Sequence, residues 1–230
     1  MRGFLAVPLL AVLTVLFGLP AIACAVVGAR RGARRVTTAW ARTLLWVVGV
    51  KVIVEGIRHL PAGPAVYAAN HGSVLDIPVL FGHLPVDFRI MHKRSLHRIP
   101  VVGVYLYAAG HIAVDRRSGF RARRTIERAA DRIRRGASVL VFPEGTRSAH
   151  GEVAPFKKGS FLLAVRAAAP VVPVSLLGVK AVMPAGLRGM RPGTVHLIVH
   201  PPVPTAGRGA GEAGALAEDV RRIVAAGCAA

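Results

Sequence analysis

Residues 65–81 read AVYAANHGSVLDIPVLF: a short β-rich run, a polar turn and a second apolar run. The segment AVYAAN (65–70) has the length and residue types of a strand, and DIPVLFGHL (76–84) has helical length and spacing. In the turn between them, Ser73 is followed three residues later by Asp76. That is the spacing of a capping box, in which a hydroxyl and a carboxylate satisfy orphan N–H groups of a first helical turn. The same turn holds His71. Five residues apart on one regular helix, His71 and Asp76 would diverge by about 140° and share no face. They can meet only if His71 lies in the loop before the helix and Asp76 in its first turn, which a helix starting near Ser73 allows. A carboxylate bonded to one imidazole nitrogen fixes the tautomer and raises the basicity of the other. The local pattern leaves both roles open, helix cap and acid/base pair.

Outward from this unit the same alternation continues. VIVEGI, VDFRIM, HIAVD, SVLVF, VVPVSLL and TVHLIVH read as further strands. Between them IPVVGVYLYAA (99–109), the Arg-rich stretch 118–135 and FKKGSFLLAVRAAA (156–169) have helical character. Such alternation predicts an α/β fold with a mostly parallel or mixed sheet flanked by helices. In sheets of this kind sites gather in loops beyond the carboxyl ends of strands, and both NHGSVLD and PEGTRS fall at such ends. A Pro- and Gly-rich loop (201–214) leads to a short terminal helix.

The chain has 230 residues, long enough for one domain and an appendage. Hydrophobic residues make up 53% and the mean hydropathy is +0.49, which points towards contact with lipid. Lys and Arg number 31 against 11 Asp and Glu, for a net charge of +20. That balance favours anionic head groups, phosphorylated substrates or nucleic acid as partners. Nucleic-acid binding also calls for basic residues interleaved with stacking aromatics. Aromatics are 6% and no nucleic-acid motif occurs, so no nucleic-acid partner is expected. Cys24 and Cys228 have no metal-like spacing and exclude a disulfide scaffold.

Residues 3–29 carry no charge, and roughly 20 apolar residues cross a bilayer core. Arg30, Arg31, Arg34 and Arg35 follow at once, a basic block that the positive-inside rule places on the cytoplasmic side. A cleavable signal peptide is the competing reading, with small residues at 21–25 as its cleavage site. TTAWARTLLWVVGVKV (37–52) holds Trp40 and Trp46 and reads either as an interfacial helix or as an ordinary core helix. The organisation expected is a helical membrane anchor over 1–50 and a catalytic domain over 51–230, at the cell membrane with the catalytic domain on the cytoplasmic side.

VLVFPEGTRS (139–148) carries the second chemical signal. A β-run ends in Phe142-Pro143, and Glu144 and Arg147 then flank Gly145-Thr146. A tight turn with backbone N–H groups and a guanidinium suits phosphate; a plain surface turn with a Glu/Arg ion pair is the alternative. NHGSVLD, FPEGTRS and VPVSLLG (172–178) occur in the order found in the glycerolipid acyltransferases typified by 1-acyl-sn-glycerol-3-phosphate acyltransferase, which this sequence resembles. MHKRSLHRIPVVG (91–103) and GHIAVDRR (110–117) are similar to the family's intermediate motifs, and PFKKGSFLLA (155–164) to the stretch after the third. The chain departs from the pattern where Ala113, not an aromatic residue, precedes Val114, and where His111 follows the glycine.

The resemblance implies transfer of an acyl group from acyl-CoA or acyl carrier protein to the sn-2 hydroxyl of 1-acyl-sn-glycerol 3-phosphate, giving phosphatidic acid. His71 would be the general base and Asp76 its orienting partner. Lys93 and Arg147, with Arg116, match the phosphate-binding positions, and Glu144, Gly145 and Thr146 would shape the acceptor loop. Partners are then lysophosphatidic acid and anionic phospholipids. The acyl donor is a co-substrate, with no cofactor and no metal expected. Another lysolipid or glycerol 3-phosphate remains an alternative acceptor. No G-x-S-x-G elbow occurs, so nothing supports an acyl-enzyme on that type of serine.

Overall fold

In the computed structural model, residues 2–115, 119–147, 152–184 and 189–229 are described. A seven-stranded sheet runs in the order β1-β7-β6-β2-β5-β3-β4. Its strands are β1 (Val50–Glu55), β2 (Val66–Ala69), β3 (Phe88–Lys93), β4 (Ile112–Val114), β5 (Ser138–Val141), β6 (Val171–Leu177) and β7 (Gly193–Val199). Neighbours are parallel except β6 and β7, so the sheet is mixed, as the alternation predicts. Every residue of β2 and β5 is buried. Strands covered on both faces read as continuous apolar runs, which is why AVYAA and SVLV lack alternation.

Helices cover both faces. On one lie α2 (Arg30–Val48), α3 (Asp76–His83), α4 (Val102–Ala108) and the short α7 (Val179–Val182), with Leu44, Leu45, Val79, Leu80 and Leu106 in the core. The other carries α5 (Gly119–Arg134), α6 (Lys158–Ala167) and α8 (Ala213–Ala229), packing Ile133, Phe161, Leu163, Leu216 and Val220. The 16-residue α5 follows the Arg-rich stretch and turns its basic residues outward around buried Ala129, Ala130 and Ile133.

The first helix, α1 (Arg2–Val26), packs on α2 and α4. Its segment Val7–Val26 is long and apolar enough to cross a membrane, and Val12, Leu16, Leu19 and Val26 are exposed. The basic block does not end a helix but begins one: Arg30, Arg31, Arg34 and Arg35 form the first turns of α2. Residues 33, 37, 41, 44, 45 and 48 make the buried stripe of that helix at helical spacing. Trp46 is exposed, whereas Trp40 turns inward, its Nε1 donating to Thr14 Oγ1 at 3.3 Å.

Candidate active site

Where β2 ends, Asn70 continues its pairing with a side chain. Its amide donates to the carbonyl of Leu176 at 3.0 Å and accepts the Leu176 N–H at 2.8 Å, standing in for one more rung between β2 and β6. The chain then turns away from the sheet, and His71 Nδ1 lies 2.7 Å from Asp76 Oδ2. That oxygen also accepts the N–H groups of Gly72 and Ser73, each at 2.9 Å. Asp76 is fully buried, and His71 is partly open. A carboxylate can only accept, so the imidazole hydrogen is on Nδ1 and the lone pair on Nε2.

The capping box is realised by half. α3 begins at Asp76 with Leu75 as N-cap and no side-chain cap bond. The Ser73 hydroxyl accepts from Leu75 N–H at 3.3 Å rather than from the N–H of Asp76. The carboxylate nonetheless reaches back to the turn, as the second half of a capping box would. One oxygen therefore serves both turn and ring, because the Gly72 and Ser73 N–H groups converge on it from inside the turn.

FPEGTRS closes the site from the end of β5. The Phe142 ring stacks on His71 with centroids 4.1 Å apart and planes 21° from parallel. Glu144 is turned inward: Oε1 accepts the His71 N–H at 2.6 Å and Oε2 the Ala154 N–H at 3.0 Å. Burial raises its carboxyl pKa, an effect those two N–H bonds oppose. Its partners are thus backbone N–H groups of two loops, not Arg147. Gly145 has φ +76°, and its N–H donates to the Phe142 carbonyl at 3.0 Å. A β-carbon there would lie 2.6 Å from Lys157 Nζ, so the turn passes directly beneath an ammonium group.

Thr146 and Arg147 are exposed on this rim, and Lys93 is exposed at the carboxyl end of β3, the strand beside β5. Arg116 lies outside the described residues. Sequence reasoning gave no role to Asn70, Phe142 or Lys157. The signal for Lys157 was present in PFKKGS, but its closeness to Gly145 follows from the fold alone. Another Ser–His contact, Ser175 Oγ to His200 Nε2 at 2.8 Å, lies in the core, where the fully buried Ser175 hydroxyl donates to the Val224 carbonyl. It offers no accessible nucleophile.

The family model described as Acyltransferase matches residues 51–177, which run from β1 to the end of β6 and include every element of this site. The chain belongs to the acyltransferase family. It is 42% identical over 160 residues to a 1-acyl-sn-glycerol-3-phosphate acyltransferase of Chlamydomonas reinhardtii, covering 67% of this chain and 47% of that protein. It is 32% identical to the human 1-acyl-sn-glycerol-3-phosphate acyltransferase beta over 90% of this chain and 77% of that protein. The crystal structure of the 1-acyl-sn-glycerophosphate acyltransferase PlsC from Thermotoga maritima superposes with a TM-score of 0.77 at 29% identity, covering 99% of this chain and 96% of that one. The chain spans about half the length of the algal and plant relatives it matches. Within these matched residues the fold brings the His71–Asp76 pair beside Phe142, Glu144 and the Gly145 turn under Lys157.

Proposed function

We propose that this acyltransferase moves a fatty acyl group from acyl-CoA or acyl carrier protein to the sn-2 hydroxyl of 1-acyl-sn-glycerol 3-phosphate, giving phosphatidic acid. The observation that carries the reading is the His71–Asp76 bond at 2.7 Å, which leaves Nε2 as a base beside the FPEGTR turn. Nε2 takes the acceptor hydroxyl proton as the oxygen attacks the thioester carbonyl. The C–S bond then breaks, and the departing thiolate takes that proton from the imidazolium. Asp76 stabilises the imidazolium in between and keeps Nδ1 protonated.

The phosphate of the acceptor is assigned to Lys93 and Arg147, with Lys157 over the same turn and Arg116 by resemblance. An apolar cleft between α1, α2, α3 and α4, lined by Phe17, Trp40, Ile77, Phe81, Val102 and Leu106, suits an acyl chain. Attachment to the cell membrane through the exposed apolar face of α1, with the catalytic side cytoplasmic, fits the basic start of α2.

The test is an acyl-transfer assay in membranes with palmitoyl-CoA, oleoyl-CoA and acyl carrier protein thioesters against lysophosphatidic acid, other lysolipids and glycerol 3-phosphate. Lysophosphatidic acid is expected to be the acceptor used. Arg147→Ala should raise KM for it about tenfold or more, the loss of a charge-assisted phosphate contact, with a smaller change in kcat. An unchanged KM would remove Arg147 from phosphate binding.

A further inference from the structure

At the amino ends of β3, β4 and β5 lies a half-open cavity of about 430 Å³. His71, Lys93 and Glu144 stand at the carboxyl ends of these parallel strands or their neighbour β2, so the cavity and the candidate active site occupy opposite edges of the sheet. Arg30 and Arg34 of α2, Arg89 of β3, and Arg132 and Arg135 at the end of α5 line it. Among the described residues its only carboxylate is Asp87, which pairs with Arg89 at 2.7 Å. The wall therefore carries a large excess of positive charge that the protein itself does not neutralise.

His111 stands in the same wall and is 7% exposed. Nδ1 accepts the N–H of Ile90 at 3.0 Å, which puts the ring hydrogen on Nε2. That Nε2 is buried and has no hydrogen-bond partner among the described residues. Burial, with Arg89 next in effect, then His92 and Arg132, pushes the pKa down to about 3, so the ring stays a neutral N–H donor at physiological pH. Phe81 and Tyr105 pack around it, with ring centroids 5.7 and 5.5 Å away, and keep the surroundings apolar. An unpaired buried donor costs free energy that an acceptor would recover. Five arginines on the cavity wall favour an anion as that acceptor.

We propose that this cavity binds a phosphate group, with Arg30, Arg34, Arg132 and Arg135 as the neutralising charge and His111, whose unpaired Nε2–H is buried in the wall, as the neutral donor. Planar guanidinium groups and a fixed N–H suit tetrahedral oxyanions, and the volume admits a phosphate with a substituent. Ala25, Gly28 and Arg30 of the wall lie at the end of the apolar α1 and just after it, beside exposed Val26 and Val27. The phosphate can therefore come from a phospholipid head group or from a free phosphorylated molecule.

The test uses full-length protein in neutral detergent, titrated separately with inorganic phosphate and with dihexanoyl phosphatidylglycerol. The His111 side-chain N–H is followed by nitrogen-15 NMR and assigned with His111→Gln. Saturable binding of either probe should move that resonance. In the doubly substituted Arg34→Glu/Arg135→Glu protein, both changes being at exposed positions, binding should weaken at least tenfold, while acyl transfer at saturating substrate is retained. Binding of phosphate itself points to a free anion as the source, and binding of the lipid alone to a head group. If neither probe binds, or the double variant binds as tightly as wild type, the proposal is overturned.

Discussion

Asp76 Oδ2 accepts from the turn and from the ring together. Asp76→Asn can keep an accepting oxygen at that position but removes the negative charge that stabilises an imidazolium. We expect kcat to fall by about 10³–10⁴, the scale seen when an orienting carboxylate is lost, with the far-UV CD spectrum retained. A kcat within tenfold of wild type would mean that the carboxylate's charge takes no part in the reaction. His111 gives a second prediction at this scale. Its pKa, near 3 in the folded protein against 6.5 ordinarily, means that the folded state binds fewer protons than the unfolded chain between those values. Stability should fall as pH drops through that window, by up to about 1.4 kcal/mol per pH unit, and His111→Gln should flatten the slope in denaturant titrations. The pairing of His71 with Asp76 was legible because strand, turn and helix succeed one another within twelve residues. The seat of Glu144 was not, since its partner N–H is 73 residues away in sequence. His111 stood out only as a departure from a motif.

At the scale of elements, the junction of α1 with α4 turns on a missing side chain. A β-carbon at Gly18 would lie 2.3 Å from Val101 Cγ1, so α1 carries a notch that receives Val101. Val101 itself holds φ +62° just before α4, an unfavourable conformation for a β-branched residue that only its surroundings impose. Gly18→Val should overpack this contact and cost about 1–3 kcal/mol, read as a lowered Tm in detergent. No change in Tm would mean that α1 does not dock there. All seven strands were legible from short β-rich runs bounded by turn residues. The reversal of β7 against β6 was not, because a strand's residue pattern carries no direction. Nor did the charge pattern reveal that the basic block and the tryptophan segment form one helix. Arginines at 30, 31, 34 and 35 mark the solvated side of α2, and small residues at 33, 37 and 41 mark the buried side.

For the whole molecule, the net charge of +20 and the exposed apolar face of α1 belong to one account. The carboxyl edge of the sheet carries His71, Lys93 and Arg147, and the amino edge carries the arginine-lined cavity, whose wall includes the end of α1 and the start of α2. Composition indicated lipid and anion as partners but gave no geometry, since charge summed over a chain does not say which edge of a sheet receives it. Motif order located the chemistry better than any single motif, because His71, Phe142 and Glu144 meet only when β2 and β5 lie side by side. The central claim is that His71 takes the proton from the acceptor hydroxyl. The direct measurement is acyl transfer from oleoyl-CoA to lysophosphatidic acid by purified wild type and His71→Ala, with folding of both verified by CD and Tm. Wild type should form phosphatidic acid, and the folded variant should lose activity by about 10²–10⁴ or more; wild-type rates in folded His71→Ala would contradict the account.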